Sequence, residues 1–277
     1  MSHHSPTTFF QRLAAFDHFF EPAHREIVQW LNLARGARIA DIGCGAGGMA
    51  VLFAEQVGDS GNVAAVEVNA ERVTALRAFL ETSSLSARIS SHQGELPALS
   101  FAENEFDVVW CSRVIHHVAD PVAGIRELAR IAKKGGRVIL REGGITPRFL
   151  PYDVGIGAAG IEERVRVAHN AWFDNMRAGH ENSVRYPRGW LAALRDAGLQ
   201  NARAKSFLYE LTPPFTDTQI SYLRTWLNDF ATNEELELSE ADRDALRQLT
   251  DPASEHDAFR RDDLHLLYVA SVYVGEK

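Results

Sequence analysis

Ala40-Asp41-Ile42-Gly43-Cys44-Gly45-Ala46-Gly47-Gly48 decides how this chain is read. An apolar strand, Arg38 to Ile42, runs into the glycines, and Met49, Leu52, Phe53 and Val57 leave them at helical spacing. Downstream, Asp59-Ser60-Gly61-Asn62 makes a turn before a second apolar run, Val63 to Val68. Residues 70–83 are helical in period (Val73, Leu76, Leu80), and Arg88–His92 and Phe106–Cys111 are two more strands. A helix over 121–133 is expected to end at Gly135-Gly136, before a fifth strand, Arg137–Arg141. Upstream, Phe9, Leu13, Phe16, Phe20, Ile27, Trp30 and Leu31 mark helical residues 9–34, divided at Pro22.

Short apolar strands alternating with helices imply an α/β fold with a mostly parallel sheet covered on both faces. Ligands in such sheets bind beyond the carboxyl ends of the strands. That places Asp41–Gly48, Glu67, Gly94-Glu95, Cys111–His117 and Glu142 at one end. Beyond residue 146 the pattern breaks. Helices are expected over 158–178 and 188–197, and strands over 202–211 and 264–274, which makes seven strands. Residues 213–263 are a helical insertion too long for a hairpin loop. The expected organisation is a helical segment 1–34, a core 35–145, substrate-side helices and a sixth strand 146–212, a lid insertion 213–263 and a final strand 264–277.

The 277 residues are 45% hydrophobic, enough for a sizeable core. A net charge of −8 does not favour a nucleic-acid partner. Cys44 and Cys111 sit in no CxxC or Cys/His cluster, and His169, His180, His256 and His265 lack ligand spacing, so neither a disulfide framework nor a metal site is expected. No apolar run spans a membrane and no signal peptide is evident, so a cytoplasmic setting is expected.

Gly43-Cys44-Gly45-Ala46-Gly47-Gly48 matches G-x-G-x-x-G, and Glu67 follows Gly48 by 19 positions. By spacing alone this is a dinucleotide fingerprint with an acid for the ribose hydroxyls. Asp41 argues otherwise. A pyrophosphate would lie over the turn and the helix N-terminus. A carboxylate at roughly 4 Å from a phosphate charge costs about 4 kcal/mol at an effective dielectric near 20. A cationic ligand would instead be favoured. The plain alternative is that Asp41 is a helix cap.

Residues 38–142 resemble the class I, Rossmann-like S-adenosylmethionine (SAM) methyltransferases, especially the small-molecule group that includes the ubiquinone-biosynthesis type. The motifs are Ala40–Gly48; Glu67-Val68; Gln93-Gly94-Glu95-Leu96 with Leu99-Ser100-Phe101; Phe106 through Val118; and Asp120-Pro121 with Lys134-Gly135-Gly136. The resemblance implies that Asp41, Gly43, Cys44, Gly45, Glu67, Val68, Gly94, Glu95, Leu96, Ser112 and His117 hold the cofactor. Glu95 stands where Asp is commoner, and the 213–263 insertion is larger than in the simplest members.

In related O-methyltransferases the first His of a pair after the fourth strand is the base, oriented by an acid ending the fifth. His116 and Glu142 have that register, 26 positions apart. The logic is that of a His–carboxylate pair, in which the acid fixes the tautomer and stabilises the imidazolium. His117 is expected near the cofactor. The rival reading is that the pair only caps the next helix. Arg141 is expected to pair with an acid. Phe16, Asp17 and His18 are expected either to close over the cofactor or to be helical core. Trp172, Phe173, Tyr186 and Trp190 are either pocket lining or core, with core favoured.

The resulting expectation is SAM-dependent methyl transfer to a hydroxyl of a small, partly apolar metabolite. An N- or C-methyltransferase acting by positioning, a SAM-binding catalyst that does not methylate, and an NAD-type dehydrogenase are the alternatives. Oligomeric state is left open, a homodimer included.

Overall fold

The computed structural model describes residues 6–277, with side chains from residue 9. They form two compact units. The larger runs up to Gly144 and adds Asn182–Phe207 and Ala270–Lys277. Its sheet is built from β1 (Arg38–Ile42), β2 (Asn62–Glu67), β3 (Ile89–Gln93), β4 (Phe106–Ser112) and β5 (Ala132–Arg141) in the order β3-β2-β1-β4-β5. All four neighbouring pairs are parallel. The order reverses between β1 and β4, so the crevice past their carboxyl ends is the natural ligand position.

Register brings the chemistry-bearing ends together. Ile42 lies opposite both Val66 and Cys111, and Ser112 lies opposite Arg141. β1 and β2 are buried along nearly their whole length, as parallel strands covered on both faces require. The covering helices are α1 (Pro6–Phe19), α2 (Glu21–Leu31), α3 (Gly48–Val57), α4 (Ala70–Glu81), α5 (Pro121–Ile131) and the short α7 (Trp190–Asp196). Asn69 caps α4 through Arg72 N, and Asp120 caps α5 through Val122 N and Ala123 N, with Pro121 at the first position. Gly47, before α3, has no side chain to cap with.

The smaller unit comprises Ile145–Glu181 and Leu208–Val269. It holds α6 (Ile161–Ala178), α8 (Asp217–Thr232) and α9 (Glu240–Thr250). Thr216 and Gln219 form a capping box at α8, and Ser239 caps α9. Leu223, Leu227, Leu246 and Leu249 are buried between these helices' apolar faces. Arg224 of α8 ties Thr250 O to the buried Asp257. The expected lid insertion, 213–263, falls within this unit, whereas 182–207, part of the expected substrate-side segment, belongs to the larger one.

β8 (Leu266–Glu276) runs through both units. Its second half pairs antiparallel with β5, from Arg141↔Val272 to Arg137↔Glu276, and β7 (Gln200–Leu211) also pairs with it. Its first half pairs with β6 (Ile145–Arg148). Among the described residues the strands therefore number eight rather than the expected seven. β6 carries Pro147 and pairs only at Ile145 and Arg148, with a register shift between. A proline demotes a run to an edge or a bulge, which is where β6 lies. A smaller difference concerns α5, which stops at Ile131 rather than at the expected residue 133. The carbonyls of Arg130 and Ile131 are taken by Asn104 N and Glu105 N, and Lys277 Nζ binds those of Arg130 and Ala132.

The glycine turn is held by β2, since Gly43 N and Cys44 N both donate to Val66 O, at 2.8 and 2.9 Å. Gly43 has φ +73°, and a Cβ there would overlap Val114 Cγ2. Gly43→Ala should therefore lower stability on two grounds, sterics and the roughly 1–2 kcal/mol of left-handed strain. Adding Val114→Ala should recover the steric part only. Denaturant unfolding of the single and double variants checks this, with a residual deficit expected in the double.

Candidate active site

Asp41 is 2% exposed. One carboxylate oxygen accepts from Ala50 N in the first turn of α3, while Oδ2 is buried without a hydrogen-bond partner. Burial pushes its pKa up to about 8, helped by the nearby Asp17 and Glu67 and opposed by Arg141. Arg141 offsets the burial only in part, and one oxygen of the acid is left without a donor. Gly43, Gly45 and Gly47 all have positive φ, and a Cβ on Gly45 would press on Leu13 of α1, 3.1 Å away. The turn thus presents backbone rather than side chains. Cys44 conforms: its thiol is buried and held protonated by that burial, while its N–H serves the turn.

Glu67, at the end of β2, is 5% exposed. Its Oε1 accepts from Val68 N and Asn69 N and pairs with Arg72 Nη2 at 3.1 Å. Val68 beside it is a large apolar side chain left 43% exposed. Gln93 Nε2 donates to Val68 O, and Gly94 N to Glu67 O. A Cβ on Gly94 would lie 2.9 Å from Val66, so this position also keeps backbone close to the strand end. Glu95 bridges to Ala98, and Leu96 packs on the main core. An acid, an exposed apolar side chain and a glycine-lined edge are the groups that a ribose and a purine would need.

Past β4, Ser112 lies opposite Arg141, and the chain turns through Arg113 at φ +55°. Arg113 N donates to Arg141 O. A short 3-10 turn, Ile115–His117, follows. Glu142 is 1% exposed, and its N–H donates to Ser271 O of β8. Its Oε1 accepts from Val114 N at 3.0 Å and its Oε2 meets His116 Nδ1 at 2.5 Å. The carboxylate thus engages the ring through Nδ1 and leaves Nε2 outside this contact. The His116 side chain is 23% exposed, so one edge of the ring reaches the surface. His117 lies against His116, ring centroids 4.1 Å apart.

Arg141 Nη1 donates to His24 Nε2 at 2.9 Å. His24 is buried and held neutral by that burial, reinforced by Arg141 and Arg113. Arg113 and Arg141 both lie over the Phe16 ring, 5.2 and 5.3 Å from its centroid. Phe16 and Asp17 of α1 are thus brought to the site. His24 and Arg113 went unnoticed in the sequence. His24 occurs at ordinary helical spacing, and nothing local announces the left-handed turn at Arg113. Trp172 and Phe173 lie in the smaller unit, where Trp172 Nε1 bonds Glu235. Tyr186 and Trp190 pack on the core of the larger unit. Among the described residues no group of three or more His, Cys, Asp or Glu side chains is placed to hold a metal, and no helix is long and apolar enough to cross a membrane.

A family model described as a methyltransferase domain matches residues 40–140. A ubiquinone/menaquinone biosynthesis C-methyltransferase of Geotalea uraniireducens is 33% identical over 125 residues, 45% of this chain and 53% of its own length. The chloroplastic 2-phytyl-1,4-beta-naphthoquinone methyltransferase of Arabidopsis thaliana is 32% identical over 113 residues, 40% of this chain and 43% of its own. The chain thus spans about half the length of the curated relatives it matches. In fold, it is similar to a SAM-dependent methyltransferase of Aquifex aeolicus, with TM-score 0.51 and 15% identity over 99% of this chain and 100% of the other. It is also similar to the YcgJ protein of Bacillus subtilis, with TM-score 0.53 and 18% identity over 93% and 99%. The glycine turn, the acid ending β2 and His116 all lie within residues 40–140, the segment that matches the methyltransferase-domain model, and Glu142 lies two residues beyond it.

Proposed function

We propose that this protein transfers the methyl group of SAM to a small organic acceptor that carries an ionisable hydroxyl, with His116 as general base and Glu142 as its orienting acid. The 2.5 Å contact between His116 Nδ1 and the buried Glu142 carries this reading. Glu142 is fixed by Val114 N on one oxygen and by its own N–H to Ser271, so the imidazole has a rigid partner. An imidazole held in the Nδ1–H tautomer can take a proton at Nε2 and pass no charge beyond the pair.

SAM supplies an electrophilic methyl group on a sulfonium. The glycine turn, Asp41, Glu67 with Val68, and Gly94 with Glu95 and Leu96 would hold it, with Ser112 and His117 at the strand end nearest the base. Asp41 and its partnerless oxygen would take the cationic amino group, and Glu67 the ribose hydroxyls. Alignment of the two reactants supplies much of the rate, up to about 7–11 kcal/mol in favourable intramolecular cases.

The relatives suggest a second reading, C-methylation of a quinone-type ring, since their names state that chemistry. The same base serves both, because a ring hydroxyl stripped of its proton can react through oxygen or through ring carbon. An N-methyl acceptor would not need the dyad. A dinucleotide, whose pyrophosphate would lie over the turn, is disfavoured by the two acids at that helix end, Asp17 and Asp41.

His116→Ala should lower turnover about 10²–10⁴-fold while leaving SAM affinity within a few-fold. Single-turnover rates beside calorimetric SAM binding check this, and an unchanged rate removes the base from the mechanism. Asp41 links cofactor and stability. It ionises near pH 4 in an unfolded chain but near 8 in the ligand-free fold, so folding loses stability as pH rises through that window. Asp41→Asn should therefore stabilise the ligand-free protein increasingly from pH 4 to 8, by on the order of a few kcal/mol at the upper end, read as a growing rise in melting temperature. The same change should weaken SAM binding, which separates a ligand-directed acid from a helix cap.

A further inference from the structure

Asp17 belongs to α1, yet its carboxylate reaches the start of α3. Its Oδ2 accepts from Gly48 N at 3.0 Å. A Cβ on Gly48 would lie 2.5 Å from the Asp17 carboxyl carbon, so glycine at 48 is what admits it. Asp41 accepts from Ala50 N in the same turn. Two carboxylates therefore converge on one helix end. The dipole and N–H groups of a helix N-terminus account for an anion bound through its hydrogen bonds. They do not account for Asp41 Oδ2, which is 98% shielded with its residue and meets no donor.

The groups around the pair are identifiable. Glu67 at the end of β2 adds a third acid, itself paired with Arg72 of α4. Arg141 of β5 and Arg113 after β4 act on Asp17 from across the Phe16 ring. His24 of α2 is neutral, and the Cys44 thiol of the turn is protonated. Burial raises Asp17 to about 6, and burial with the charge of Asp17 raises Asp41 to about 8. The arrangement is rich in acids, and one oxygen of Asp41 meets no donor.

We propose that Asp17 is the second carboxylate of an ammonium subsite whose first is Asp41, so that α1 carries part of the binding site for the amino group of the cofactor. This rests on the SAM reading above. A cation seated between the two acids favours their charged forms, so binding expels protons and tightens as pH rises from about 5 to 7. The role is one of binding, and no bond is made or broken by Asp17.

Calorimetric titration of the full chain with SAM, in buffers of different ionisation heat, tests it. The wild type should release more than one proton per SAM near pH 6, against at most one if Asp41 acts by itself. Asp17→Asn keeps an acceptor for Gly48 N and removes only the charge. It should weaken SAM about ten- to a hundredfold, the scale of a charge-assisted hydrogen bond, and cut proton release. 5′-Methylthioadenosine, which lacks the amino acid portion, should bind wild type and variant alike. Equal SAM affinity in the variant overturns the proposal, as does an equal loss for methylthioadenosine, which would mark a structural role. Should the variant fail to fold, release of one proton or fewer by the wild type overturns it. A wild type that does not bind SAM at all instead overturns the SAM reading itself.

Discussion

A carboxylate buried at the carboxyl end of β1 constrains everything near it. Asp41 cannot be left charged without a partner, and cannot be left neutral without losing the electrostatic reason for its position. The neighbourhood compounds the difficulty, since Asp17 and Glu67 repel it and Arg141 only partly offsets them. Several otherwise separate features follow from that one group. The turn is built from glycines so that backbone, not side chains, faces the space in front of Asp41. The first turn of α3 offers Ala50 N to one oxygen. α1 lies across the turn through Leu13 and Asp17. A protein with no ligand for this site would gain stability by replacing the acid with an amide, so its presence is an argument from energetics for a cation.

The acid–base pair depends on register rather than on local chain. His116 follows β4 and Glu142 follows β5, and the two meet only because Ser112 lies opposite Arg141 in a parallel pair. β8 then fixes the far side, through its pairing with β5 and the bond from Glu142 N to Ser271 O. A shift of one residue between β4 and β5 would turn Glu142 to the other face of the sheet. The burial of Val108 through Cys111 and of Val138 through Arg141 makes such a shift costly, so the core fixes the distance between the two catalytic candidates.

Much of this could be read from residues alone, and the exceptions have physical causes. The strand–glycine turn–helix unit was legible because apolar period, glycines and acid occur within about a dozen residues, and that pattern is local. The His116–Glu142 pairing was legible through its spacing together with a family resemblance. β6 was not legible, because Pro147 and the bulge break its pattern and the partner strand lies more than a hundred residues on. The end of α5 was misplaced because its last carbonyls are claimed by Asn104, Glu105 and Lys277, groups distant in sequence. Asp17 stands out as a candidate, but its approach to Gly48 is tertiary, and no local signal encodes it. The rule that emerges is that local geometry is written in sequence, whereas contacts between elements are visible only where spacing or a shared motif reports them.

The charge around the site also bears on turnover. In the proposed reaction the sulfur begins as a cation and ends as a neutral thioether. The acids Asp17, Asp41, Glu67 and Glu142 outnumber Arg72, Arg113 and Arg141, with His24 held neutral. Such a pocket favours the charged cofactor over its product by whatever part of that field reaches the sulfur. In the proposed reading, acids that hold the reactant would thus weaken the hold on the product. Since the reacting methyl group leaves as the charge disappears, the field also opposes the loss of positive charge in the transition state. A pocket of this kind therefore trades some barrier for product release, and the alignment imposed by the strand ends has to supply the rate.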